Sequence, residues 1–250
     1  MYKSEINTDD PITKNITPVI LAGGFGTRLR SVISDRPKVL APVKGKPFLS
    51  ILLDQLIGFG FDRVILCIGY RAEQIIQSFG MQYKSLSIDY SIESKPLGTG
   101  GAILPAIKHV KTKYLLISNG DSFVPFNLFS FYSFLRDKSA EGAIIVSYRD
   151  SSYSLGHVQI GKNRKIIRFA EKKEIGNGWV NTGVYLISAD WFTGYKSGKY
   201  YSIEHDFFPT WTRKSFFAHP ISSSFIDIGT PGSYRSSETF FSTPSSRGRI

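Results

Sequence analysis

Leu21-Ala22-Gly23-Gly24-Phe25-Gly26-Thr27-Arg28-Leu29 follows directly on the β-branched run Thr17 to Leu21, so a strand ends here in a glycine turn. Glycines placed straight after a strand let backbone N–H groups come close to a phosphate, and a helix starting there would add the positive end of its dipole. Arg28 and, in Arg36-Pro37-Lys38, Lys38 bring formal positive charge to the same place. A lone Gly-Gly pair would only make a turn. The whole run with the Arg-Pro-Lys element predicts a cradle for a polyphosphate. Neither GxxxxGK[ST] nor GxGxxG is present, which leaves a Walker-type NTPase and a nicotinamide dehydrogenase without support.

Beyond this stretch, Leu49, Leu52, Leu53 and Leu56 recur at helical spacing and stop near Gly58 and Gly60. Arg63 to Ile68 reads as an apolar strand, Ala72 to Phe79 as a short helix, and Ile88, Tyr90 and Ile92 alternate as a strand does. Gly98, Gly100 and Gly101 open a helix through Ala102 to Lys108, and Tyr114 to Ser118 returns to strand. Apolar strands alternating with helices imply βαβ crossovers and a sheet covered on both faces, an α/β fold with a mixed, mostly parallel central sheet. After Gly142 the strands Ala143 to Tyr148, His157 to Ile160, Ile166 to Ala170 and Val184 to Ile187 come with few helices between them, which predicts antiparallel additions. A helix through Glu204 to Phe208 and another from Gly232 to Phe241 flank a further strand pair, Phe216 to Ala218 and Phe225 to Asp227. The expected organisation is a polar leader over 1–15, one domain over 16–241 with a nucleotide-binding first half and a sugar-binding second half, and a basic tail over 242–250.

The chain has 250 residues, 42% hydrophobic and 20% charged, enough apolar surface for a core and too little charge for wholesale disorder. Its 31 Lys and Arg against 20 Asp and Glu leave +11, which points to an anionic partner: nucleic acid, a membrane surface or a small polyphosphate. Cys67 is the single cysteine, so no disulfide or CxxC site can form within the chain. The leader lacks the basic start and apolar stretch of a signal peptide, and no apolar run reaches the ~20 residues of a bilayer span. A cytoplasmic location without membrane association is the expectation. The histidines His109, His157, His205 and His219 lack HxxxH or HExxH spacing, which argues against zinc.

Asn119-Gly120-Asp121 closes the strand at Ser118, placing Asp121 at the carboxyl edge of the sheet, where open α/β sheets bind ligands. Asp227 closes another strand, before Ile228-Gly229-Thr230. Each alone could be a turn-former. Two carboxylates together with phosphate oxygens suit Mg²⁺, the expected cofactor.

Leu21 to Leu29 and Pro37 to Leu49 resemble, in residues and spacing, the two-block signature of the sugar-1-phosphate nucleotidylyltransferases, and the resemblance runs from about Thr17 to Phe241. It implies a Rossmann-like nucleotide-diphospho-sugar transferase fold and the reaction of a nucleoside triphosphate with a sugar 1-phosphate. It further implies that Leu21, Ala22, Gly23, Gly24, Gly26, Thr27 and Arg28 hold the nucleotide, that Arg28, Lys38, Asp121 and Lys172 are catalytic, and that Asp121 and Asp227 hold the metal. Asn119, Glu171, Lys172, Asn181 and Thr182 fall to the sugar phosphate. Arg30-Ser31-Val32-Ile33 and Val39 depart from the common pattern, which leaves the chemistry intact and the fine specificity open.

Glu93-Ser94-Lys95-Pro96-Leu97-Gly98-Thr99-Gly100-Gly101 occupies the slot where this family reads the base. A carboxylate only accepts, and guanine offers adjacent N–H donors, so Glu93 with Gly98 and Thr99 favours GTP. The string also resembles the guanylyltransferase branch, nearest to enzymes of D-glycero-α-D-manno-heptose 1-phosphate that supply bacterial surface polysaccharides, with mannose 1-phosphate the competing substrate. Nucleic acid is a poorer partner: the basic residues are spread along the chain, and Phe126, Phe129 and Phe134 read as core. A membrane partner has no support either, and a homo-oligomer remains open.

Overall fold

The computed structural model describes residues 12–150, 156–170 and 176–242. Strand β1 (Ile16–Leu21) leads into a hairpin of β2 (Pro42–Val43) and β3 (Lys46–Pro47), helix α1 (Phe48–Gly58) and strand β4 (Arg63–Ile68). Helix α1 forms because Leu49, Leu52, Leu53 and Leu56 give it one buried stripe. Gly60, at φ 84°, then takes a left-handed turn that side-chain-bearing residues avoid. Helix α2 (Ala72–Phe79), the short strand β5 (Gln82–Tyr83), β6 (Leu86–Ile92), α3 (Gly98–Ala106) and β7 (Tyr114–Asn119) complete the first half. The second half holds β8 (Ser122–Phe123), α4 (Leu128–Asp137), β9 (Gly142–Arg149), β10 (His157–Ile160), β11 (Ile166–Ala170), β12 (Gly178–Ser188), α5 (Phe208–Trp211), β13 (Phe216–Ile221), β14 (Ile226–Asp227) and α6 (Pro231–Phe240).

Ten strands make one sheet in the order β11-β10-β12-β7-β1-β4-β6-β5, with β9 pairing both β12 and β13. Strands β7, β1, β4 and β6 run parallel. Alternation along them sends Val64, Leu66 and Ile68 into a core with α1, α2 and α4, and Ile65 and Cys67 into a second core with α3 and α5. Successive strands step outward from β1 to β4 and β6, and the chain then returns to place β7 on the other side of β1. The reversal opens a crevice at the carboxyl ends of β1 and β7, the position where such sheets bind ligands.

Several sequence expectations change. No α-helix follows the glycine turn: Gly26 is left-handed and only a three-residue 3₁₀ turn, Thr27–Leu29, comes next, tucking Leu29 into the core. The positive field there comes from side chains, not from a helix dipole. Gly98, Gly100 and Gly101 open α3 as expected, with Phe207 and the backbone of residues 199 and 201 packed where side chains would stand, but the α-helix stops at Ala106 and a 3₁₀ turn, Ile107–His109, replaces its expected end. The 216–218 and 225–227 strands do not pair with each other; β13 runs parallel to β9, and β14 pairs β8. The helix expected over 204–208 is a π-helical turn, Ile203–Phe207, running into α5. Phe129 is 42% exposed on α4 rather than core. Most of the leader and tail, with Glu171 and Lys172, lies outside the described residues.

Leu21 registers with Asn119 across β1 and β7, and the Gly120 N–H donates to the Leu21 carbonyl at 2.9 Å. A Cβ on Gly120 would sit 2.6 Å from that carbonyl oxygen and 3.0 Å from Val39 Cγ1. Backbone on one side leaves no flexible group to yield. Gly120→Ala is therefore expected to destabilise the fold by about 1–3 kcal/mol in chemical denaturation. Unchanged stability would contradict the close approach of β1 and β7.

Candidate active site

A cavity of about 570 Å³ opens over the β1–β7 crevice. Its floor is the glycine turn. The Ala22 N–H donates to Cys67 O at 2.7 Å and the Tyr70 N–H to Gly23 O at 3.2 Å, which fixes the path of the chain while Gly23 and Gly24 face the cavity. Leu21 and Ala22 line it too, whereas Gly26 and Thr27 do not. Gly26 serves instead to admit Lys38, whose Cβ lies 3.2 Å from where a Cβ on Gly26 would stand.

The carboxylates converge from two strands. Asp121 follows β7, and Asp227 on β14 pairs across to Ser122 on β8, with the Ile228 N–H donating to Asp121 O at 2.9 Å. The single Ser122 hydroxyl lies 3.4 Å from Asp121 Oδ1 and 3.3 Å from Asp227 Oδ2. Lys38 Nζ pairs with Asp121, the two side chains 15% and 19% exposed. The Arg28 guanidinium lies over Gly229, 3.1 Å from where its Cβ would be, beside Asp227. The Gly229 N–H donates to Asp227 Oδ1 at 2.6 Å, and Thr230 caps α6 with Ser233 in a capping box, so Asp227 sits on a braced strand-turn-helix.

These neighbours split the two acids. Burial pushes the Asp121 carboxyl up, but the charge and hydrogen bond of Lys38, with Arg28 behind it, hold it below the ordinary carboxylate range. Burial and then the charge of Asp121 push Asp227 above that range. Among the described residues no third His, Cys, Asp or Glu joins the pair. Two oxygen-only carboxylates that repel one another fit a hard divalent cation that keeps water and takes phosphate oxygens as its other ligands.

At another part of the cavity Glu93 is wedged between Gly23 and Gly69. A Cβ on Gly69 would lie 2.6 Å from Glu93 Cγ, and one on Gly23 would lie 2.8 Å from Oε1. Its Oε2 accepts the Leu97 N–H at 3.1 Å, and burial raises its proton affinity despite that bond. Gly98 and Thr99 line the cavity nearby. The Thr99 hydroxyl accepts the Ile203 N–H at 3.0 Å, a structural use.

On the opposite flank β12 breaks register with β9 between Asn181 and Tyr185. This bulge, with Gly183 at φ 83°, turns Asn181 toward the cavity. Asn119 lies against Gly183 and lines the same wall. Thr182 lines the same wall, 1% exposed, with its hydroxyl donating to Ile145 O at 2.9 Å. Tyr200, Ser202, Glu204 and His205 also line the cavity, and no motif in the sequence marks them. They arrive because Tyr201 docks on α3, its carbonyl accepting the N–H groups of Gly100 and Gly101 at 2.8 and 3.0 Å. The buried Cys67 thiol, pushed up to about 12 by burial, is no nucleophile.

The raised Asp227 has a consequence for stability. The folded chain binds its proton more tightly than the unfolded chain, so ionising it costs stability as pH rises through the raised value. Asp227→Asn keeps an oxygen for the Gly229 N–H and removes the charge. In the absence of metal, its melting temperature at neutral pH is expected to equal or exceed that of the wild type, with the gap closing in acid. A lower melting temperature at neutral pH would show that Asp227 is not a cost to the fold.

Residues 17–242 match the nucleotidyl transferase family. The chain is 36% identical to the D-glycero-α-D-manno-heptose 1-phosphate guanylyltransferase of Aneurinibacillus thermoaerophilus, over 88% of this chain and 96% of that protein. It is 34% identical to the enzyme of the same name from Campylobacter jejuni, over 86% and 96%. The crystal structure of HddC from Yersinia pseudotuberculosis complexed with GMP-PN superimposes with a TM-score of 0.81 at 35% identity, covering 90% of this chain and 99% of that one. With the glycine turn, the basic residues and the carboxylate pair in one crevice, the chain belongs to the nucleotidyl transferase family.

Proposed function

We propose that this protein transfers a guanylyl group from GTP to D-glycero-α-D-manno-heptose 1-phosphate, giving GDP-D-glycero-α-D-manno-heptose and diphosphate. The observation that carries the reading is that one cavity holds both an acceptor-only carboxylate wedged between two glycines, Glu93, and the acid pair Asp121 and Asp227 flanked by Lys38 and Arg28. The names of the relatives, guanylyltransferases of a manno-heptose 1-phosphate, support the choice of substrates. The GMP-PN bound by a structural neighbour supports a guanine nucleotide.

The nucleophile would be a phosphate oxygen of the sugar 1-phosphate, already mostly dianionic at neutral pH because its second pKa is about 6. No residue has to remove a proton. The oxygen attacks the α-phosphorus in line, a P–O bond forms to the sugar phosphate, and the bond to the β-phosphate breaks with its electrons leaving on diphosphate. The glycine turn and the Arg28 and Lys38 cations, which line the cavity, would hold the triphosphate and offset charge on the leaving group. Asp121 and Asp227 would hold Mg²⁺, which when bound supplies further neutralisation at the phosphate oxygens. Asn181 and Asn119 would face the sugar. Lys172 is assigned to its phosphate and Glu171 to a hydroxyl from the family resemblance.

Diphosphate release measured with Mg²⁺, each of four nucleoside triphosphates and a panel of sugar 1-phosphates is expected to select GTP and the manno-heptose substrate. Preference for mannose 1-phosphate would move the assignment to that sugar, and no release from any pair would overturn it. Lys38→Ala should lower turnover by about 100-fold or more while still unfolding cooperatively; near-normal turnover would remove Lys38 from the phosphate site. Guanine needs Glu93 ionised, so GTP affinity is expected to fall with acid from above the ordinary carboxylate range. In Glu93→Gln that fall should vanish together with the preference for GTP. A pH profile identical in the two proteins would place the base elsewhere.

A further inference from the structure

Two polar groups in the cavity wall are left unused by the chemistry above. Tyr185 is 1% exposed, and its hydroxyl oxygen accepts from Asn181 Nδ2 at 2.9 Å. Asn181 is locked in turn, its Oδ1 accepting the Gly183 N–H at 2.9 Å. The phenol proton is left with no acceptor among the described residues. Buried tyrosine hydroxyls normally find one. Glu204, half-buried on the π-helical turn, lines the same cavity and makes neither a side-chain hydrogen bond nor an ion pair among the described residues. With no protein donor on its oxygens among the described residues, Glu204 is open to a hydrogen bond from a ligand in the cavity.

The two groups share one environment. Burial first, then the charge of Glu204, and also that of Asp121, raise the proton affinity of the Tyr185 phenol, so it feels the acid of the reaction centre as well as Glu204. Glu204 is firmly placed. The Tyr201 carbonyl accepts from Gly100 and Gly101, the Tyr201 N–H donates to Leu97 O at 2.9 Å, and the Ile203 N–H donates to Thr99 Oγ1 at 3.0 Å. The segment carrying Glu204 is thus tied to α3, whose first turn follows the Glu93 loop.

An occupant of this wall must accept a hydrogen bond and donate one. Phosphate is excluded, since it has no proton to give and Glu204 would repel it. The base already has Glu93. A sugar hydroxyl meets both demands. We propose that one hydroxyl of the sugar bridges Tyr185 and Glu204, accepting from the phenol and donating to the carboxylate, so that these two residues set sugar specificity. This rests on the guanylyltransferase reading. A site built to pair a hydroxyl discriminates strongly against ligands that leave its polar groups unpaired.

Wild type, Glu204→Ala and Tyr185→Phe would be assayed with GTP, Mg²⁺ and D-glycero-α-D-manno-heptose 1-phosphate, with GDP binding and thermal melting followed in parallel. Each variant is expected to raise KM for the sugar phosphate by about 10-fold or more, a loss that fits one hydrogen bond to a charged or buried group. KM for GTP and affinity for GDP should stay within twofold. A sugar KM within twofold of wild type in either variant, or an equal loss of GDP affinity, overturns the bridge. Should Glu204→Ala fail to fold, Tyr185→Phe, which keeps the buried ring, decides the matter alone. Lack of turnover in the wild type would show without any substitution that the guanylyltransferase reading itself, and the bridge with it, is wrong.

Discussion

The site depends on the parallel pairing of β1 with β7 in a register that sets Leu21 opposite Asn119. From that register the two chains leave the sheet side by side, one as the glycine turn and the other as Gly120 and Asp121. The hydrogen bond from Gly120 to Leu21 carries the contact one residue past the ladder, and only a glycine leaves room for it. A slip of one residue would turn the inner and outer faces of β7 over and carry Asp121 away from Lys38. The fold therefore sets the distance between the glycine turn and the carboxylates by backbone hydrogen bonds.

On that frame the electrostatics are deliberately unbalanced. Lys38 and Arg28 stabilise the charge of Asp121, while Asp227, facing the same charge, is pushed toward its neutral form. Asp227 thereby costs stability in the free protein, a cost that a bound cation would offset, a trade common at functional sites. Glu93 is a milder version of the same device. Two glycines press on it, burial disfavours its charge, and the Leu97 N–H favours it only in part, leaving room for donors on a ligand.

Much of this was legible in the residues. The glycine turn, Lys38, Asp121 and the alternating apolar strands are local signals, each written within a few positions, and the structure brings them together in one crevice. What escaped was set by tertiary contact. The helix expected after Gly26 is missing because the left-handed turn and the burial of Leu29 decide that segment, which propensity does not report. Tyr200, Ser202, Glu204 and His205 join the site only because Tyr201 docks on α3, a contact about a hundred positions away in the chain that no periodicity encodes.

The proposed mechanism requires that the Asp121 and Asp227 pair take up a divalent cation together with the nucleotide. Titration of Mn²⁺, followed by its electron paramagnetic resonance in the presence of GTP, reads this without turnover. The wild type should bind the ion, and Asp121→Asn and Asp227→Asn should each lose that binding while remaining folded. Undiminished Mn²⁺ binding in both variants would mean that the two carboxylates are not the cation site, and the chemistry assigned to this crevice would have to be abandoned.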